Sequence, residues 1–139
     1  MGMNLIVPDA EKSEDPVWCH YEGNVYAAIR PLSNKKSLEI IEEHTRRKTV
    51  WKKGRKFVDE EIDHKAVEND TRDWIVADWK GVCRVEGDDE IEVDCEREVK
   101  LRVLDFDHEF RSWCIERSTD FAGLQEQAKK NKKNGLPKQ

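Results

Sequence analysis

The sequence predicts an α+β fold, in which a single, mostly helical domain carries short β-hairpins near the N-terminus and between the later helices. Apolar residues recur every three or four positions over several stretches, as they do on one face of a helix. In other stretches they alternate with polar residues on both sides of glycine-containing turns, which is typical of hairpins. The chain has 139 residues, enough for one domain with a modest core.

Composition supports a folded chain. The net charge is −5, with 40% charged and 37% hydrophobic residues, and five tryptophans and four phenylalanines argue against global disorder. The four cysteines are scattered without a C-x-x-C pair, so we expect free thiols. Cys19-His20 and the stretch from His108 to Cys114 contain candidate zinc ligands, but their spacing does not favour a metal site.

The first elements are an arm and a hairpin. Residues 1–16 are rich in proline and acidic side chains and are expected to form a flexible N-terminal arm. Alternating residues from Val17 to Leu32 predict two strands around a turn at Gly23-Asn24. Pro31 is expected to end the second strand.

A helix and a basic segment follow. Ser33 is a good N-cap for an amphipathic helix predicted over residues 34–48. The segments Thr49-Val50-Trp51 and Lys56-Phe57-Val58 flank Lys52-Lys53-Gly54-Arg55 almost symmetrically, which suits either a second hairpin or a mobile loop.

The next predicted helix contains two tryptophans. Asp59 is its expected N-cap, and its apolar stripe leads through Trp74 to Trp79, where Lys80-Gly81 ends it. Five helical steps place Trp74 and Trp79 about 140° apart around the axis. We therefore expect this helix to be packed between different neighbours.

The C-terminal half begins with an acidic hairpin around Gly87. A helix is predicted over residues 96–104, and a final amphipathic helix starts at Asp105 and extends through Leu124. The domain is expected to span residues 17–128, and residues 129–139 to form a basic disordered tail. The expected core consists mostly of Trp18, Ile29, Leu38, Ile41, Trp74, Trp79, Phe110, Trp113 and Phe121.

The charged segments suggest binding more than catalysis. The basic run at 46–56 surrounds Trp51 with seven cations and could contact phosphates while Trp51 stacks on a base. The acidic chain contains no known nucleic-acid module, so nucleic acid is disfavoured but remains the alternative partner. The acidic hairpin lacks the ligand ladder of a calcium loop.

No catalytic constellation emerges from the sequence. His64 with Asp63, or His108 with Asp105 or Asp107, could form acid–base pairs, but there is no nucleophile elbow or phosphate-binding loop. We expect no enzymatic activity and no cofactor. No apolar run is long enough to span a bilayer or to form a signal peptide, so we expect a cytoplasmic protein without a membrane partner.

Several ordered motifs resemble one family. They are the segment YAAIRPLS from Tyr26, a charged helix, the segment DWIVADWKGV from Asp73 to Val82, an acidic hairpin with Gly87, and the segment DCEREVKLRVLD from Asp94 before a final helix. Over about residues 25–124 this pattern resembles the tail assembly chaperones of tailed phages and prophages. The resemblance implies a non-enzymatic protein of the bacterial host cytoplasm that coats apolar tape-measure helices and delivers them to tail-tube subunits.

Four residues are expected to bind partners. Trp51 and Arg55 lie in the basic segment, and Phe121 and Leu124 lie at the distal end of the final apolar stripe. We expect Phe121 and Leu124 to extend past the packed body as an apolar edge. Such an edge could receive a tape-measure helix or pair two copies in a homo-oligomer.

Overall fold

The computed structural model describes residues 14–134, so most of the expected N-terminal arm and the last five residues lie outside the described part. The described strands are β1 (Val17–Glu22), β2 (Val25–Ile29), β3 (Thr45–Lys52), β4 (Arg55–Ile62), β5 (Val76–Lys80), β6 (Cys83–Glu86) and β7 (Asp89–Glu92). The described helices are α1 (Asn34–Glu43), α2 (His64–Ile75), α3 (Arg97–Phe106), α4 (His108–Thr119) and α5 (Phe121–Lys133). This mixture of helices and antiparallel strand pairs confirms the α+β prediction.

A three-stranded antiparallel sheet lies at the centre of the domain. The predicted N-terminal hairpin is present as β1 and β2, and β2 also pairs with β5 in the order β1-β2-β5. Ala27, Ala28 and Ile29 of the central strand are fully buried. Helix α5 packs against β1, and α4 packs against β2.

The prediction of a helix through Trp79 is wrong. Helix α2 ends at Ile75, and Val76–Lys80 forms the edge strand β5, in which Trp79 lies opposite Ala27. The backbone of β5 hydrogen-bonds to β2, and this long-range pairing outweighs the helical pattern of the sequence. The Trp79 ring is buried, and its indole N–H donates to the carbonyl oxygen of Val93 at 2.8 Å.

Gly81 ends β5 for a steric reason. Its φ of +80° lies in the left-handed region, and a Cβ atom there would lie 2.1 Å from the carbonyl oxygen of Asn24. The residue therefore has to be glycine for the chain to pass the first hairpin this closely. Its backbone N–H donates to a carboxylate oxygen of Glu92 at 3.0 Å, which connects it to β7.

The helix boundaries around the second hairpin differ from the predicted ones. Ser33 caps α1 as expected by accepting from the backbone N–H of Lys36, but α1 ends at Glu43 because β3 begins at Thr45. Strand β4 likewise includes Asp59, so the N-cap of α2 is Asp63 and not Asp59.

The predicted final helix is two helices. Asp107 caps α4, and Asp120 ends α4 and caps α5 by accepting from the backbone N–H of Gly123. Helix α5 continues to Lys133, so the predicted basic tail does not begin at residue 129. Asn131 is buried and donates to the carbonyl oxygen of Trp18 at 2.9 Å, which secures this last helix against β1.

The predicted core is partly correct. Four of its members are buried, namely Trp18, Ile29, Trp79 and Phe110. Trp74 and Trp113 are partly buried and pack against that core. Leu38 is exposed, because the face of α1 that turns inward is centred on Ile40. No helix within residues 14–134 is both long and apolar enough to cross a bilayer.

Leu124 provides a test of the helix break at Asp120. Its side chain is 2% exposed within the core, whereas Phe106 at the end of α3 is 89% exposed. Leu124→Ala should lower the free energy of unfolding by about 2–5 kcal/mol, because it leaves a cavity. The control Phe106→Ala should change it by less than about 0.5 kcal/mol in the same urea titration. Equal effects of the two substitutions would contradict this packing of α5.

Candidate functional site

Strands β3 and β4 form a separate two-stranded ribbon. We call this ribbon the arm (residues 45–62); it is distinct from the N-terminal arm expected over residues 1–16. The strands pair in unbroken register from Thr45 opposite Ile62 to Lys52 opposite Arg55. Eight residues at about 3.4 Å each make the arm about 27 Å long. Nearly all of its residues are exposed, and within the described part of the chain no third strand pairs with either edge.

The turn at the end of the arm closes in a strained conformation. Lys53 and Gly54 have φ values of +51° and +72°, and Lys53 is the single non-glycine residue with positive φ in the described chain. Two consecutive left-handed residues give the type I′ turn, whose twist matches that of paired strands. The predicted hairpin is thus confirmed, and the segment is not the mobile loop that the sequence left as the alternative.

The base of the arm is anchored between α1 and α2. The backbone N–H of Asp63 donates to the carbonyl oxygen of His44 at 3.0 Å and closes the ribbon. The Thr45 hydroxyl donates to the carbonyl oxygen of Ile41 at 2.6 Å. Arg47 donates to Glu42 of α1 and to Glu60 across the arm. These hydrogen bonds fix the base of the arm to α1 and to the start of α2.

A polar network lies beside this base. Nε2 of His44 and Oδ2 of Asp70 are 2.6 Å apart, and Arg97 donates to the other Asp70 oxygen at 2.7 Å. Arg97 also contacts Asp73, which accepts from the buried Lys100. The hydrogen bond to His44, and more weakly the Arg97 guanidinium, lower the pKa of Asp70 although partial burial opposes them.

The same network contains a group with metal-ligand chemistry. Glu43, His44 and Asp70 each offer one possible ligand atom, and these three atoms lie within 4.8 Å of one another. Both oxygens of Asp70 already accept hydrogen bonds, and the Arg97 cation lies against one of them. A second cation would be repelled there, so these residues serve better as a structural network that fixes the base of the arm.

Charge is distributed unevenly along the arm. Residues 45–62 contain seven cations and three acids, a net charge of +4, so the rest of the chain carries −9. Arg46, Arg47 and Lys48 face Glu61, Glu60 and Asp59 across the two strands. The four cations nearest the turn, Lys52, Lys53, Arg55 and Lys56, make no ion pair with any residue of the described chain. The end of the arm is therefore a concentrated positive surface.

Apolar side chains accompany these cations on both faces of the arm. Trp51 is 68% exposed, Val58 57% and Phe57 46%. Side chains alternate between the two faces of a strand, so Trp51 and Val58 share one face. Phe57 lies on the other face with Lys52 and Arg55. Large exposed apolar groups rimmed by charge are typical of binding surfaces.

The four predicted partner-binding residues are not brought together. Trp51 and Arg55 both lie on the arm, although on opposite faces. Phe121 is half-buried in the first turn of α5, and Leu124 is buried. The expectation that Leu124 forms a protruding apolar edge is wrong, because α5 packs its inward face against β1. Sequence periodicity alone could not distinguish a core stripe from an exposed one.

The histidine–aspartate pairs considered from the sequence are not formed. Within residues 14–134 neither His64 nor His108 hydrogen-bonds to a carboxylate, and the ring of His108 contacts Arg111. Burial raises the pKa of Cys19 and Cys114, and raises that of Cys95 to about 11. The cysteines in the described chain are free thiols, as predicted.

Comparison with protein families, with curated proteins and with solved structures yields no match to this chain.

The Asp70 network predicts a specific acid sensitivity. Because the pKa of Asp70 is lower in the folded chain, its charged form stabilises the fold above the ordinary value of about 3.9. This stabilisation is lost as the pH falls below that value toward the folded pKa. Asp70→Asn should therefore be less stable near neutral pH and should lose stability less steeply than the wild type as the pH falls below about 4. Parallel urea-midpoint curves for the two proteins would contradict this role.

Proposed function

We propose that this chain is a non-enzymatic tail assembly chaperone of a tailed phage or prophage, which binds apolar tape-measure helices and tail-tube subunits in the cytoplasm of the bacterial host. The observation that carries the proposal is the way in which the resembling motifs fold together. Three of them, from DWIVADWKGV through the acidic hairpin to DCEREVKLRVLD, occupy one continuous stretch from the end of α2 to α3.

Trp79 and Gly81 are the centre of that stretch. The Trp79 indole reaches across the acidic hairpin to Val93, whose own N–H donates to the carbonyl oxygen of Val82 at 2.9 Å. Gly81 provides the close passage beside Asn24. This geometry brings together the Trp-x-Gly motif, the acidic hairpin and the polar start of α3. The short motifs of the resemblance therefore belong to one structural unit.

The arm supplies a surface suited to capturing a partner. The Trp51 face combines a large exposed ring with Val58 and with the stem of Lys56 opposite Trp51. An apolar helix could bury against this face while the surrounding charges keep the complex in solution. We therefore locate the capture surface on the arm, and not on the C-terminal stripe, where Leu124 is buried.

Trp51→Ala tests this surface. The proposal predicts a tape-measure gene beside the gene for this chain, and its absence would contradict the proposal. The protein it encodes would be co-expressed with the wild type, and the complex isolated through a tag on the tape measure. Trp51→Ala should reduce the affinity by about tenfold or more, because truncating an interface tryptophan is typically among the most costly changes. Its unfolding free energy should change little, since the ring is exposed.

Phe106→Ala is the matched control, because it removes another exposed aromatic ring at the end of α3, outside the arm. It should leave capture unchanged. Failure of the wild type to keep the tape measure soluble would contradict the chaperone function itself. Capture that is insensitive to Trp51→Ala would leave the function standing and reject the arm as its surface.

Nucleic-acid binding is a second candidate, favoured by one observation. The four unpaired cations surround the end of a two-stranded ribbon, and the major groove of DNA is wide enough to admit such a ribbon. If this function is correct, duplex affinity should fall with salt with a slope near −3 to −4 on logarithmic axes, since each neutralised phosphate contributes about −0.9. Lys52→Ala with Arg55→Ala should reduce that slope by about half, and Trp51→Ala should not. An affinity without salt dependence would reject this candidate.

A further inference from the structure

The chain carries a second isolated hairpin whose charge is opposite to that of the arm. Strands β6 and β7 form the acidic hairpin (residues 83–92), with five carboxylates and one arginine, a net charge of −4 against +4 for the arm. Each hairpin is a two-stranded sheet by itself, and no described strand pairs with its outer edges. Two-stranded ribbons gain stability when a further surface covers them.

The charge of the acidic hairpin is also largely unpaired. Glu86 pairs with Arg84 at 2.9 Å, and Glu92 accepts from the backbone of Gly81. Asp88, Asp89 and Glu90 make no ion pair within residues 14–134. Three unpaired carboxylates at the turn of the acidic hairpin thus match the unpaired cations at the end of the arm.

The apolar side chains of the two hairpins are arranged in a complementary way. Val85 is exposed and lies on the same face of the acidic hairpin as Glu90, which is directly opposite it. On the arm, Phe57 lies on the same face as Lys52 and Arg55. Each of these faces therefore offers an apolar side chain beside charges of one sign, and the two signs are opposite.

We propose that the acidic hairpin of one copy docks on the Phe57 face of the arm of a second copy. Val85 packs against Phe57, and the carboxylates around Glu90 pair with Lys52 and Arg55. Charge complementarity selects this occupant, since like-charged hairpins of two copies would repel. The contact leaves the Trp51 face uncovered, so it does not depend on the proposed chaperone function.

The contact joins two different surfaces, which determines the kind of assembly. Each copy has one arm and one acidic hairpin, so a pair of copies joined by one such contact still presents one free arm and one free hairpin. Such head-to-tail contacts produce a closed ring or an open row. Either assembly would present several Trp51 faces side by side.

Charge reversal tests the contact directly. An arm variant would carry Lys52→Glu and Arg55→Glu, which lie on the Phe57 face, and a hairpin variant would carry Asp88→Lys in the turn and Glu90→Lys opposite Val85. Sedimentation velocity of the full chain, freed of nucleic acid, would be measured over a range of concentrations at about 50 mM and about 500 mM salt. Circular dichroism would establish that each variant is folded.

The wild type should self-associate at low salt, and high salt should dissociate it. Each variant alone should associate at least about tenfold more weakly, because like charges then face each other. An equimolar mixture of the two variants should associate again, since the acidic arm of one meets the basic hairpin of the other. The chain carrying both sets of changes keeps the wild-type net charge and should also associate.

Three results would overturn the proposal. One is a wild type that stays monomeric at low salt, including the case in which its arm binds a DNA duplex instead. Another is a charge-reversed variant that associates as strongly as the wild type. The third is a mixture of two folded variants that does not associate.

Discussion

The hydrogen bond from the Trp79 indole to the carbonyl oxygen of Val93 is the interaction on which the rest of this fold depends. Trp79 belongs to the edge strand of the central sheet, and Val93 follows the acidic hairpin. The bond therefore fixes where the chain returns to the body after the hairpin. It also satisfies the one polar atom of a buried tryptophan ring, which would otherwise destabilise the core.

The position of α3 follows from that return point. Lys100 of α3 is buried and donates to the backbone and the carboxylate of Asp73, so α3 is held against α2. Arg97 extends the same contact to Asp70, which in turn binds His44 at the base of the arm. A continuous chain of packed and hydrogen-bonded residues thus connects the central sheet with the arm, whose strands make few contacts with the body themselves.

Local patterns predicted the hairpins well. The turns at Gly23, Gly54 and Gly87 are all present, and each of these glycines has a positive φ. Such turns are predictable because the glycine that they need is visible in the sequence. The caps at Ser33 and the exposed position of Trp51 also agree with local chemistry. Helix boundaries were less predictable from local spacing, since the first helix ends at Glu43 and Asp59 belongs to a strand.

Predictions that depended on distant partners were less successful. The pairing of β5 with β2 joins residues about fifty positions apart, so a helical pattern through Trp79 could not reveal it. Leu124 belongs to a regular apolar stripe, but the break at Asp120 turns that stripe onto β1. The hairpin was expected to be shorter, since its apolar residues lie near the turn, whereas the strand residues 46–48 and 59–61 nearer its base are all charged.

The central claim is that the arm is a binding element attached to a body that is stable without it. Hydrogen exchange of the backbone amides, measured on the isolated monomer and again with the arm's partner bound, tests this claim most directly. In the monomer, amides of residues 46–61 should exchange much faster than those of β2, and binding should protect the arm while leaving β2 unchanged. Arm amides that are as protected as β2 in the monomer, or that remain unprotected in the complex, would contradict the claim.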